Sequence, residues 1–106
     1  MSILDIATVQ AFLLVAELES FTRAAEVLGT TQAAVSMKLQ RLEAALRKRL
    51  VERSPRAVRL TADGSAFLAP ARALIEAHER GVALVLREQH QRSALVAVIE
   101  GRARID

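Results

Sequence analysis

Apolar residues recur every three or four positions in three consecutive segments near the start of the chain, and this spacing predicts three short helices. The first helix begins after a capping Asp5 and ends near Leu18. Its buried stripe consists of Ile6, Val9, Phe12, Leu13 and Ala16. The second helix is capped by Ser20 or Thr22 and ends at Leu28. Its inward-facing residues are Phe21, Ala24, Ala25 and Leu28.

A tight turn joins the second helix to the third. Gly29 ends the second helix, where a left-handed conformation is expected, and only Thr30 separates it from Thr31, the cap of the third helix. Two helices joined by so short a turn cannot lie antiparallel, and the small side chain of Ala25 lets them cross closely. The pattern is that of a helix-turn-helix.

The third helix, over residues 31–46, has an unusual outer face. Its apolar side carries Val35, Leu39, Leu42 and Leu46. At about 100° per residue, the far side carries Ala33, Met37, Gln40 and Ala44, with Gln32 and Ser36 along one edge. Small and amide side chains suit close approach to another surface, so we interpret this segment as a recognition helix that enters DNA. An ordinary amphipathic core helix is the alternative that the segment alone leaves open.

A short β-hairpin is predicted next, because apolar residues at 50–51 and 58–60 flank a turn at Pro55. A hairpin that follows a helix-turn-helix is a wing. Arg53 and Arg56 near its tip are therefore candidates to reach phosphates or a minor groove. A solvated loop with two ordinary arginines is the alternative.

A long helix is predicted after Thr61, and Pro70 would kink or break it unless it falls in the first turns. The division expected is a DNA-binding domain over 4–61 and a linker helix over 62–100. The apolar stripe of this helix is too long for the preceding domain to cover, so we expect a homodimer through about residues 64–90. The predicted interface residues are Phe67, Leu68, Ala71, Leu74, Ile75, His78 and Val82.

Basic residues cluster beside the third helix. The formal net charge of the chain is +3, yet the segment from Met37 to Arg59 alone holds eight Lys and Arg against two Glu. Such a patch attracts polyanions through the release of counterions. A solvated basic surface is the alternative, but the clustering favours nucleic acid.

The remaining composition argues against other classes of protein. The chain has no cysteine, which fits a reducing cytoplasm, and it has neither a secretory leader nor an apolar run of the ~18 residues that span a membrane. His78 and His90 lack partners at ligand spacing, so we expect no metal and no cofactor; His78 would instead make dimerisation pH-sensitive. No nucleophile with its base, phosphate-binding glycine loop or catalytic carboxylate pair is evident, so we do not expect an enzyme.

Four short motifs carry a resemblance to a known family. They are SFTRAAE at 20–26, TQ with AVS at 31–36, LE at 42–43, and RxxRxVxLTxxG at 53–64. Over about residues 9–64, nearly without gaps, the chain resembles the DNA-binding domain of LysR-type transcriptional regulators. The resemblance implies a mainly α winged helix-turn-helix, with three helices and a short hairpin wing, that dimerises through antiparallel linker helices. It also implies that a small-molecule effector acts only through a C-terminal domain that is missing here.

The chain departs from the family pattern at several positions. Relatives usually carry Gly where Glu19 stands and Pro where Ala33 stands. They often carry a base-contacting Arg at the position of Met37. Met37 itself can make only apolar contact, for example with a thymine methyl. Arg47 replaces a usual Gly, so either the helix runs on or Arg47 adopts a left-handed conformation. The last residues, 94–106, could be helix or strand, and we expect an excised fragment or, less simply, a naturally short protein.

These observations predict a surface that reads double-stranded DNA. The predicted base contacts are Gln32, Ala33, Ser36, Met37 and Gln40, and the resemblance gives Gln32 and Ser36 the same role. The predicted backbone contacts are Thr22, Thr31, Lys38 and Arg41, with Arg53 and Arg56 on the wing. Gln32 is the best base reader, because its amide can both donate to and accept from adenine.

The leading hypothesis is thus a cytoplasmic, homodimeric module of a LysR-type regulator that recognises an interrupted palindrome. The alternative from another class is a winged-helix protein-interaction module that docks through the long helix, which weak salt dependence of binding would favour. A third hypothesis stays within DNA binding, since the N-terminal domain of molybdate-responsive repressors has a similar winged fold.

Overall fold

Four helices and one antiparallel hairpin make up residues 3–54 and 57–86, the part of the chain that the computed structural model describes. The elements in chain order are α1 (Ile6–Leu18), α2 (Phe21–Leu28), α3 (Gln32–Leu46), β1 (Val51–Arg53), β2 (Val58–Leu60) and α4 (Ala62–Leu86). The predicted fold, a mainly helical winged helix-turn-helix followed by a long helix, is confirmed. Residues 94–106, which the sequence left as helix or strand, lie outside the described part of the chain, as does the predicted turn residue Pro55.

Side-chain caps fix where the first three helices begin. The carboxylate of Asp5 accepts from the Ala7 N–H at 2.9 Å, and the hydroxyl of Thr31 accepts from the Ala34 N–H at 3.1 Å. Of the two candidates before α2, Ser20 is the cap, because its Oγ accepts from a backbone N–H in the first turn at 3.0 Å. These bonds satisfy donors that a helix leaves without partners at its start.

The first helix is the centre of the core, and here the predicted single stripe was too narrow. Val9, Phe12 and Leu13 are fully buried as predicted, while Ile6 and Ala16 are only half-buried. The helix also buries Thr8, Ala11, Leu14 and Val15. The reason is that α1 packs against α2, α3 and α4 at once, so most of its circumference is covered.

Among the described residues, three that lie between elements adopt left-handed backbone conformations. Gly29 does so with φ 65°, as predicted, and Glu19 and Arg47 do so with φ 51° and 56°. Of the two possibilities for Arg47, the second is correct: α3 ends rather than running on. The Arg47 N–H donates to the Ala44 carbonyl and the Lys48 N–H to the Glu43 carbonyl, the pair of bonds that closes a Schellman motif.

The wing is joined tightly to the start of α4. In its register Val51 lies opposite Leu60 and Arg53 opposite Val58. The Thr61 hydroxyl donates to the Arg49 carbonyl at 2.6 Å and accepts from the Gly64 N–H at 3.0 Å. One side chain therefore closes the base of the hairpin and caps the long helix.

The long helix runs through Pro70 without interruption, which corrects the expectation of a break. Pro70 lies on the exposed face of α4, well beyond its first turn. The carbonyl four residues earlier, which loses its partner there, also belongs to an exposed residue and can be hydrated. Continuity therefore leaves no buried polar group unpaired at this point.

Candidate nucleic-acid interface

The two sides of α3 differ in the way that the sequence predicted. Val35, Leu39 and Leu42 are buried and anchor the helix against the core. On the other side Gln32, Ala33, Met37 and Gln40 are exposed, and Ser36 is partly exposed. Met37 is a large apolar side chain with 53% of its surface accessible. Burial on one side thus presents the five predicted base contacts together on the other.

The starts of α2 and α3 lie side by side. Oγ1 of Thr22 is 3.5 Å from Oε1 of Gln32, so a predicted backbone contact adjoins the best predicted base reader. Thr31 is committed to capping α3 through its hydroxyl. The backbone N–H groups at the start of α3 carry the partial positive charge of a helix N-terminus, which favours an anion nearby. The other two predicted backbone contacts, Lys38 and Arg41, lie partly buried and exposed respectively along the middle of α3.

A buried carboxylate joins α3 to the wing, and sequence reasoning did not assign it a role. Oε2 of Glu43 accepts from the N–H of Leu50 at 2.8 Å and from that of Val51 at 3.3 Å, and it lies 3.8 Å from Nε of Arg49. Hydrogen bonds to an ionised acceptor are among the stronger ones in proteins. Two signals in the sequence pointed to Glu43: it belongs to the LE motif at 42–43, and it interrupts a strongly basic segment.

The wing contacts the helix-turn-helix through Arg53. Its guanidinium carbon lies 5.3 Å from the centre of the Phe21 ring, the geometry of a cation–π contact. Arg53 therefore lies beside the first turn of α2 rather than projecting alone from the tip. The second predicted wing residue, Arg56, lies outside the described residues.

The residues of the predicted dimer interface fall into three groups by burial. Ala71 and Ile75 are completely buried in the core of their own chain, which corrects their assignment to a contact between chains. Phe67 and Leu68 are partly buried against the same core. Leu74, His78 and Val82 are exposed. The difference arises because the first half of α4 packs on α1, where Arg72 also pairs with Glu17.

The described part of the chain shows neither a metal-binding cluster nor a membrane-spanning helix. Among residues 3–54 and 57–86, no group of three or more acidic or histidine side chains is arranged to hold a metal ion. None of the helices in the same ranges has both the length and the hydropathy needed to cross a bilayer.

The comparisons with known proteins agree on one family. Residues 6–65 match the sequence profile of the family described as "Bacterial regulatory helix-turn-helix protein, lysR family". Over 72 residues the chain is 47% identical to a "Probable hydrogen peroxide-inducible genes activator" of Mycobacterium avium, a match that covers 68% of this chain and 23% of the relative. The chain thus spans about a quarter of the length of that relative.

Solved structures give the same result. The oxidized form of Corynebacterium glutamicum OxyR superposes with a TM-score of 0.77 at 31% identity, covering 79% of this chain and 26% of OxyR. The CbnR DBD–DNA complex superposes with a TM-score of 0.72 at 34% identity, covering 79% of this chain and 97% of the CbnR chain. With a family profile matching more than half of its residues, this chain belongs to the LysR family of bacterial regulatory helix-turn-helix proteins.

Proposed function

We propose that this chain binds double-stranded DNA in a sequence-specific manner, as the DNA-binding module of a LysR-type transcription regulator in the bacterial cytoplasm. α3 is the recognition helix, and Gln32, Ser36 and Met37 are central to the surface that meets base edges in a major groove. The chain performs no catalysis in this scheme. Its work is selective binding, and any response to a small molecule belongs to a further domain of the regulator.

The observation that carries the proposal is the outer face of α3. An exposed helix face of small, amide and apolar residues can approach base edges closely in a groove that is wide enough for one helix. The basic residues around it supply the attraction for phosphates. The structural likeness to a DNA complex of CbnR, at 34% identity, supports the same function.

We propose further that two chains bind one interrupted palindrome as a homodimer. The surface available for this contact is the outer side of α4, where Leu74, His78 and Val82 are exposed. The last turn of the described helix adds Leu84, Val85 and Leu86, which are 58–80% exposed. Such a concentration of exposed apolar side chains is costly in water and is usually covered by a partner. A two-fold dimer then presents two recognition helices to two half-sites.

The test is a selection from random duplex DNA by the purified chain, followed by binding of the selected duplexes across a salt series. An enriched interrupted palindrome with affinity that falls steeply as salt rises supports the full proposal. Enrichment of a single half-site supports sequence-specific binding without the dimer. Salt-sensitive binding with no enrichment contradicts specificity. Absence of duplex binding favours the protein-interaction alternative, for which the exposed end of α4 is the docking element.

A further inference from the structure

An open groove lies between the carboxyl end of α3 and the root of the wing. Four cationic side chains line it, those of Arg47, Lys48, Arg49 and Arg53. Of these four, Arg47, Lys48 and Arg49 are not among the DNA contacts predicted from the sequence. We infer that this groove is a second phosphate-binding site, which holds the DNA backbone beside the bases that α3 reads. The inference rests on the proposed function and extends the contact surface beyond it.

The one carboxylate that lines the groove offsets only one of its four positive charges. Glu43 is about one-tenth exposed, and its Oε2 atom is engaged by two backbone N–H groups and faces Arg49. Within residues 3–54 and 57–86, neither Arg47 nor Lys48 forms an ion pair with a carboxylate. The groove therefore carries a clear excess of positive charge that the described structure does not neutralise.

Two features of the backbone support a role for these cations. Arg47 occupies a left-handed position with φ 56°, where a glycine would be accommodated without strain, so the position retains a charged side chain at a conformational cost. Cations at this end of α3 also offset the partial negative charge of its last carbonyl groups. A phosphate can then approach the carboxyl end of a helix that would otherwise repel it.

The position of the groove argues for DNA rather than for an unrelated anion. Gln40 and Ala44 also line it, and both lie on the same side of α3 as Met37, three and seven positions further along. The groove is thus continuous with the face that we assign to base contacts. On its other side, the cation–π contact with Phe21 holds the guanidinium of Arg53 in place. A DNA strand that runs along α3 would therefore pass directly over the four cationic side chains.

The experiment measures the salt dependence of duplex binding for the wild-type chain and for Arg47→Gly, Lys48→Gln and Arg49→Gln. A matched control is Arg80→Gln, because Arg80 is an exposed arginine on α4 that does not line the groove. Each variant is titrated with one selected duplex and with its single-base variants. Arg47→Gly should relieve the left-handed strain as it removes the charge, and its denaturation curve separates a change in binding from loss of folding.

Each phosphate contact that is lost should make the slope of log affinity against log salt shallower by about 0.9. A fourfold rise in salt then weakens the wild-type complex about 3.5-fold more than the variant, for each contact removed. The order of preference among the duplexes should not change, and Arg80→Gln should behave as wild type. Groove variants with the wild-type slope overturn the inference while leaving the proposed function intact. If the wild-type chain binds no duplex, both fall.

Discussion

Glu43 on α3 accepts a hydrogen bond from the backbone N–H of Leu50 at 2.8 Å, and this bond links the helix to the start of the wing. The acceptor is a buried carboxylate that also takes the N–H of Val51, so two donors at the start of β1 depend on one side chain. Leu50 and Val51 are themselves buried, so water could not take the place of the Glu43 carboxylate as the acceptor of their N–H groups. Glu43 is therefore a structural residue, although its neighbours on α3 include residues that we propose to contact DNA.

Glu43→Ala should destabilise the chain by about 3 kcal/mol, because it leaves two buried N–H groups without an acceptor. Glu43→Gln keeps one acceptor oxygen and should cost about half as much. The control is Glu26→Ala on the exposed side of α2, which should change stability by no more than about 0.5 kcal/mol. Urea unfolding of the three variants measures these differences. Equal stability of Glu43→Ala and Glu26→Ala would show that the wing does not need this acceptor.

The two glycines of α4 should respond in opposite ways to alanine. A Cβ on Gly64 would stand 2.0 Å from the Leu50 carbonyl oxygen, which belongs to backbone and cannot move aside, so Gly64→Ala should destabilise the chain by about 3 kcal/mol. A Cβ on Gly81 would meet nothing within 4 Å, and Gly81→Ala should stabilise the helix by about 1 kcal/mol. Thermal unfolding distinguishes them. A tolerated Gly64→Ala would mean that α4 and the root of the wing are not in this close contact.

Local features of the sequence were sufficient for the helix-turn-helix and the hairpin. The caps Asp5 and Thr31 and the left-handed Gly29 interact only with residues close to them in the chain. Their roles can therefore be predicted without knowledge of the rest of the fold. The alternation of apolar and polar sides of α3 is equally local, which is why the exposed face was predicted residue by residue.

The features that were missed depend on contacts between different elements, which the spacing of residues within one element does not show. The role of Glu43 requires the chain to return with two N–H donors at residues 50 and 51. The apolar stripe of α4 is continuous in sequence, and only its packing on α1 decides that Ile75 belongs to the core while Leu74 does not. The contact of Arg53 with Phe21 likewise joins two elements that are far apart in the chain.

Arg47→Gly and Glu19→Gly should each stabilise the chain by about 1 kcal/mol, since both residues hold left-handed conformations without being glycine. The increase in unfolded-state entropy that glycine brings offsets part of the gain. Chemical denaturation measures the change in stability. Only Arg47 lines the basic groove, so a gain shared by both variants reflects the backbone conformation and not the removal of a positive charge from the groove. A loss of stability in both would mean that their side chains contribute more than their backbones cost.

Gln32→Ala and Lys38→Ala should change binding in different ways. Gln32→Ala is expected to lose roughly 1–3 kcal/mol on the preferred duplex and to relax the preference at one base pair. Lys38→Ala should weaken binding to all duplexes alike and flatten the salt dependence, because a phosphate contact carries no sequence information. Titration of both variants against single-base duplex variants makes the comparison. If Gln32→Ala keeps the wild-type ranking of duplexes, its role in base reading is wrong.

Met37 should recognise a thymine through its 5-methyl group. It is the one large apolar side chain on the exposed face of α3, and the apolar feature that a major groove offers is the thymine methyl. Replacing that thymine by deoxyuridine deletes the methyl and leaves the base pairing unchanged. The wild-type chain should then lose about 0.8 kcal/mol, roughly a fourfold weaker complex, as expected for the removal of one buried methyl group.

The Met37→Ala variant makes this test specific, because a chain without the thioether should no longer distinguish thymine from deoxyuridine at that position. Each thymine of a selected duplex is replaced in turn, and the wild-type and Met37→Ala chains are titrated against the same series. The comparison isolates the coupling between the Met37 side chain and the methyl group from other effects of the protein or DNA substitution. Thymines outside the half-site serve as internal controls. If no thymine shows a larger methyl effect in the wild-type chain than in Met37→Ala, Met37 does not read a methyl group, and its exposure on the recognition helix needs another cause.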